Sequence, residues 1–213
     1  MVKTAGKSVR TRDADGTRKR ILLAAKREFA RLGFGGARID AIAERAKANK
    51  RMIYHYFDSK EVLFTAVLED AYLDIRAAER KLDLDHMEPE VAIKALVEFT
   101  WLYYLNNPEF LTLVNSENLH KARHLKNSKA IKQEYPYFIS IVQSIIDRGV
   151  AKKVFRSDID AVQLNITLAA INYYYLTNKY TGSIIYDRDL MDPKRLKERL
   201  AFNIDTIQRL MRA

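Results

Sequence analysis

Cysteine is absent from the 213-residue chain, which excludes a disulfide framework, a thiolate metal site and a cysteine nucleophile. Glycine (7) and proline (4) are scarce. A β-rich chain with many tight turns, or a disordered one, would use more of both, so the expected class is all-α. Every apolar run is broken by charge before it reaches the length of a bilayer span, and the N-terminus lacks the apolar core of a signal peptide. A soluble cytoplasmic protein with no membrane partner is expected. No Gly-rich phosphate loop, Ser-His-Asp pattern or paired-carboxylate signature occurs, so the expectation is of no enzyme and no cofactor.

What the chain has is charge in one place. Residues 1–60 hold 16 Lys and Arg against 6 Asp and Glu, whereas residues 61–213 hold 21 of each sign. The whole net charge of +10 therefore lies in the first 60 residues. Positive charge confined to one segment is the footprint of a surface that meets phosphate, because neutralising a polyanion releases its counterions. A solvated basic tail accounts for part of it, but not for Arg38, Arg45, Lys47, Lys50, Arg51 and Lys60.

Those residues lie in RIDAIAERAKANKRMIYHYFDSK, positions 38–60. Ile39, Ile42, Ala43 and Ala46 recur at helical spacing, Ala46-Lys47-Ala48 interrupts, and a second short helix runs from an Asn49 cap through Phe57. Two short helices joined by a tight turn make a helix-turn-helix, with Lys50 and Arg51 in the exposed first turn of the second. Thr17-Arg18-Lys19-Arg20-Ile21-Leu22, the helix end Phe29-Ala30-Arg31-Leu32-Gly33-Phe34, Ile42-Ala43-Glu44-Arg45-Ala46 and Ile53-Tyr54-His55-Tyr56-Phe57-Asp58-Ser59-Lys60-Glu61 agree in order and spacing with one family. In these motifs the chain resembles the TetR family of transcriptional regulators over roughly its first third. The resemblance implies that Lys50, Arg51, Tyr54, His55 and Lys60 fall on operator-contacting positions. Lys47 stands where that family usually has a turn glycine, and Ala37-Arg38 where a threonine is usual. Arg38 would replace a hydroxyl–phosphate bond with a charged one.

Along the chain, residues 1–15 read as a flexible basic arm, 16–76 as the DNA-binding head and 77–213 as an effector-binding and dimerisation domain. A support helix over Thr17–Leu32 ends at Gly33, and Ser59 caps a fourth helix running to about Lys81, which would link the head to the second domain. Further helices are expected over Val91–Leu105, Pro108–Leu125, Ser128–Arg148 with a bend or split at Pro136 and a close at Gly149, Ser157–Tyr180 before a break at Thr181-Gly182-Ser183, and from the Asp192-Pro193 start onward. The last two carry more apolar surface than one domain covers, and the resemblance implies that they pack against a second copy. The expected architecture is an N-terminal three-helix head joined to a C-terminal helical bundle that dimerises.

One polar cluster stands out, SENLHKARHLK, in which Glu117, His120 and His124 follow i, i+3, i+7 spacing and would share one helix face. Three readings are open: a hydrogen-bonded polar patch, a metal site serving a helical enzyme through Glu117, His120 and His124, or an effector site. The last would use Asn118, His120, Arg123 and His124, with Trp101, Tyr104 and Tyr174 as aromatic walls, and would take a small aromatic or carboxylate molecule. The chain as a whole is expected to be a homodimeric, ligand-responsive regulator, most simply a repressor, that binds a palindromic operator in double-stranded DNA and is released by a small effector.

Overall fold

The computed structural model describes residues 6–213, with side chains from Asp15 onward. The arm expected over residues 1–15 lies largely outside the described side chains, and helical backbone is already formed at Gly6. Ten α-helices account for nearly all regular structure among the described residues. They fall into two compact units, one reaching to Tyr72 and joined by Thr112–Ser128, the other comprising Leu73–Leu111 and Lys129–Ala213.

In the first unit, α1 (Gly6–Gly36) is interrupted at Gly33, whose φ of 67° is the left-handed conformation a glycine adopts without steric cost. Ile21, Ala25 and Phe29 form its buried stripe, whereas Leu32, expected on that stripe, faces solvent. α2 (Ile39–Ala46) buries Ile39, Ile42, Ala43 and Ala46, and α3 (Lys50–Phe57) buries Ile53 and Phe57. α4 (Lys60–Glu79) starts where Ser59 Oγ accepts from Val62 N at 3.1 Å, and it supplies Leu63, Phe64, Val67 and Leu68 to the same core. Phe29 and Phe64 meet edge to face at 4.9 Å between centroids, the geometry that aromatic quadrupoles favour.

The second unit packs α5 (Pro89–Asn106), α7 (Lys129–Ala151), α8 (Ala161–Thr177) and α10 (Pro193–Met211) around Ile93, Leu96, Val97, Val142, Ile145, Ile146, Leu164, Leu168 and Ile207. α9 (Lys179–Ile185) is a short additional helix. Asp192 caps α10 as its sequence signals, accepting from Lys194 N and Arg195 N at 2.9 and 3.2 Å.

Several boundaries differ from expectation, each for a local reason. α6 (Pro108–Leu119) stops six residues short of Leu125, because Lys121 and Ala122 both take positive φ and turn the chain. Pro136 does not split α7; burial of Phe138, Val142, Ile145 and Ile146 holds one continuous helix through it. Gly149 lies inside α7 and does not close it. Its glycine is required by the Phe155 ring, whose Cδ2 would be 1.9 Å from an added Cβ. α8 opens at an Asp160 cap, with Asp160 Oδ1 accepting from Gln163 N at 2.7 Å, and ends at Asn178, while Thr181-Gly182-Ser183 lies within α9.

Candidate nucleic-acid interface

The helix-turn-helix forms around the turn at Lys47, which adopts φ 50°, ψ 45° despite its β-carbon. A left-handed residue costs roughly 1–2 kcal/mol. Two backbone hydrogen bonds offset it, Lys47 N to Glu44 O at 3.1 Å and Ala48 N to Ala43 O at 3.0 Å, which satisfy the last carbonyls of α2. Asn49 Oδ1 then accepts from Met52 N at 2.8 Å and starts α3. With Ile53 and Phe57 turned into the core, α3 presents Asn49, Lys50, Arg51, Tyr54 and His55 to solvent. Arg38, ahead of α2, is exposed as well, but its side chain makes no cap bond.

Not every basic residue on this face is free to meet an anion. Lys50 Nζ is 3.0 Å from Asp40 Oδ1, an exposed pair that a phosphate can compete with. Arg45 is committed inward: with Arg31 it closes on Glu28, at 3.1 and 3.3 Å, beneath a side chain only 1% exposed. Burial pushes the Glu28 carboxyl up, but hydrogen bonds and charge from Arg31 and Arg45 outweigh it and hold it below the ordinary carboxylate value. Arg20 Nε donates to Ala46 O at 3.4 Å and its Nη2 to Thr17 Oγ1 at 2.9 Å, tying α1 to the end of α2. Sequence reasoning missed Arg20 and Glu28 as scaffold residues. A lone carboxylate on the otherwise basic stretch of α1 was the available signal.

Lys60 Nζ sits 5.0 Å from the Phe34 ring centroid, which draws the polar cluster into this unit. Glu117, Asn118, His120, Arg123 and His124 all belong to it, whereas Trp101, Tyr104 and Tyr174 belong to the other. The shared helix face is a correction: α6 ends at Leu119, and Glu117 reaches His124 across the turn beyond it. Glu117 Oε1 accepts from His124 N at 2.8 Å and Leu125 N at 3.0 Å, and Oε2 accepts from His124 Nδ1 at 2.6 Å. Arg123 Nε donates to His124 Nε2 at 3.2 Å, so His124 is the Nδ1–H tautomer with its Nε2 lone pair in use. The His124 ring contacts Phe64 and Phe34, each at 4.8 Å, and Arg123 lies over Phe34 at 5.4 Å. His120 Nδ1 donates to Ser116 O at 2.6 Å, Ser116 Oγ accepts from Phe34 N at 3.4 Å, and Asn118 Nδ2 donates to Val114 O at 2.9 Å. The cluster is a satisfied polar network that closes α6 against the kink of α1 and the start of α4.

The metal-dependent alternative fails on the same geometry. Both Glu117 oxygens are taken, and no group of three or more His, Asp or Glu among the described residues is placed to hold a metal ion. The aromatic residues have ordinary places in the second unit. Trp101 is buried against Tyr175 at 5.6 Å, Tyr104 stacks on Phe110 at 5.7 Å, and Tyr174 is 59% exposed. Among the described residues no helix is long and apolar enough to cross a membrane.

Two family models match the chain: bacterial regulatory proteins of the tetR family over residues 21–67, and a tetracyclin repressor-like C-terminal domain over residues 89–207. The chain is 40% identical over 211 residues to the HTH-type transcriptional repressor NicS of Pseudomonas putida, covering 99% of this chain and 100% of that protein. It is 37% identical over 140 residues to the HTH-type transcriptional repressor SCO4008 of Streptomyces coelicolor, covering 65% and 69% of the two chains. Among solved structures, a TetR family transcription regulator from Marinobacter aquaeolei superposes with a TM-score of 0.72 at 15% identity, covering 95% of this chain and 98% of that one. The transcriptional regulator SCO4942 from Streptomyces coelicolor superposes with 0.69 at 21%, covering 92% and 98%. The chain belongs to the TetR family of ligand-responsive, DNA-binding transcriptional regulators.

Proposed function

We propose that the protein acts in the cytoplasm as a homodimeric repressor that binds a palindromic operator and leaves it when a small effector binds. One observation carries this reading: α3 is held rigidly on its Ile53 and Phe57 side and presents Lys50, Arg51, Tyr54 and His55 outward, in the segment that bears the whole net charge. In this reading Arg51 reads a base edge, Lys50, Lys60 and Arg38 meet phosphates, and Asn49 sets the start of the recognition helix. A dimer would place two such helices about one helical turn apart, roughly 34 Å, on adjacent half-sites. The repressor sense comes from NicS and SCO4008, both named repressors.

Dimerisation would use the apolar side chains left exposed on α8 and α10, among them Ile166, Tyr174 and Phe202. The effector would act through α4, a single helix whose first residues belong to the first unit and whose last belong to the second. Occupancy shifts DNA affinity only as far as the effector prefers the released arrangement. Selection of bound sequences from random duplex DNA tests the reading: a palindromic consensus is expected from the wild type, and its loss from Arg51→Ala. Binding without sequence preference by the wild type would refute it.

A further inference from the structure

The second unit holds a cleft of about 290 Å³, its open mouth included, between the end of α4 and the first half of α7. Leu84, Phe138 and Ile141 give it apolar walls, and Arg76 and Glu79 supply the charge. The Arg76 guanidinium lies 3.8 Å from the Phe138 ring centroid, which fixes its plane against an aromatic face. Arg76 Nη1 is 2.9 Å from Glu79 Oε2, an ion contact not aligned as a hydrogen bond. As a result Arg76 Nε and Nη1 and Glu79 Oε2 are buried without a hydrogen-bond partner, with Glu79 only 6% exposed. Buried polar atoms in this condition are costly and are retained where something satisfies them. At the mouth, Arg80 and Glu134 neutralise one another at 2.7 Å, and Tyr137 lies beside them.

We propose that this cleft binds the effector and that the effector is a small planar monocarboxylate. The assignment rests on the reading of the protein as an effector-released repressor. The space is small beside the usual ligand pocket, so it admits one ring at most and excludes a fused polycycle. The sign of the ligand follows from the charges. Burial pushes the Glu79 carboxyl up to about 7, with the Arg76 and Arg80 charges opposing it only in part. Near neutrality Glu79 is therefore protonated much of the time, which leaves Arg76 the uncompensated charge in the cleft, with donors free for an anion. A bound carboxylate beside Glu79 forces that proton to stay, since two carboxylates in one cleft cannot both ionise. Binding thus takes up a proton above the Glu79 pKa, and affinity falls up to tenfold for each pH unit beyond it.

Benzoate, with benzamide as its uncharged counterpart, probes the site by titration calorimetry on the full-length protein at about pH 6 and about pH 8. The expected result is saturable benzoate binding that weakens by about tenfold between the two conditions, and no binding of benzamide. Arg76→Gln should abolish it, and Glu79→Gln should keep it with no pH dependence. No benzoate binding, equal binding of benzamide, or unchanged binding by Arg76→Gln would overturn the proposal. If Arg76→Gln does not fold, as judged by circular dichroism, the pH profile of Glu79→Gln decides: a profile matching the wild type overturns it. Operator binding measured in parallel separates the two readings. Benzoate that saturates the cleft without weakening operator binding leaves the site and removes its role as effector site. Release of operator by a metabolite extract equally from wild type and Arg76→Gln leaves the repressor reading and removes this cleft.

Discussion

His124 Nδ1 lies 2.6 Å from Glu117 Oε2, with the two side chains only 4% and 3% exposed. The pair is not a free chemical site. Glu117 accepts three hydrogen bonds across the turn after α6, and His124 spends both ring nitrogens while its face packs on Phe34 and Phe64. A carboxylate so placed stabilises the turn it spans, because the donors would otherwise be buried unmet.

Glu117→Gln keeps the shape but replaces one acceptor oxygen with a donor, setting two donors against each other. It should lower the unfolding free energy by about 1–3 kcal/mol, measured by urea denaturation near neutral pH. Stability equal to wild type would mean that the network carries no net energy.

On the DNA-facing surface, Arg51→Ala should reduce discrimination at one operator position by about 1–3 kcal/mol if the guanidinium reads a guanine. Asp40→Asn should act in the opposite direction and without sequence preference, since it frees Lys50 from its 3.0 Å partner. A gain of about a few-fold in affinity with a steeper salt dependence is expected. Fluorescence anisotropy on specific and scrambled duplexes over a salt series separates the two effects.

For the dimer, Ile171 and Ile204 are poor probes, because both pack against their own core. Ile166 and Phe202 are 54% and 61% exposed, so Ile166→Glu or Phe202→Glu leaves the monomer fold intact and buries an unpaired charge only on association. Sedimentation should give monomers for either variant and dimers for the wild type. Two dimeric variants would move the interface elsewhere.

Gly149→Ala should destabilise by about 1–3 kcal/mol, because the added methyl meets the Phe155 ring against an α-helix that cannot yield. Gly35→Ala is its control, with open space around the added methyl. Thermal melts that rank the two alike would contradict the packing.

Glu79 sets a pH dependence of stability. Its carboxyl titrates near 7 when folded and near the ordinary value of 4.5 when unfolded, so the folded state binds more protons between those limits. Stability contributed by the protonated form is complete below about pH 4.5 and is lost as pH rises to about 7. Glu79→Gln removes that loss and should stabilise the protein by up to roughly 3 kcal/mol above pH 7, with little effect below pH 4.5. Denaturation across this range should show the two curves converging at low pH.

The head is legible in the sequence because its determinants are local. Asn49 and Ser59 cap helices through atoms two or three residues away, Ile42, Ala43 and Ile53 keep helical spacing, and the charge excess is a matter of counting. Asp192-Pro193 announces α10 for the same reason. Tertiary structure decided the rest. Glu117 and His124 share the spacing of a helix face, yet two left-handed residues between them turn the chain, and which polar groups pair depended on Phe34 and Phe64, both far away in sequence. Arg45 has the look of a DNA-binding residue, but Glu28, 17 residues earlier, takes it. Gly149 resembles a helix stop, and the Phe155 ring gives it another reason to be glycine. The Arg76–Glu79 cleft has no sequence signature, since an i, i+3 ion pair on a helix is ordinarily a solvated surface feature. Only the packing of α7 over it, with Phe138 against the guanidinium, removed the water that would have screened it.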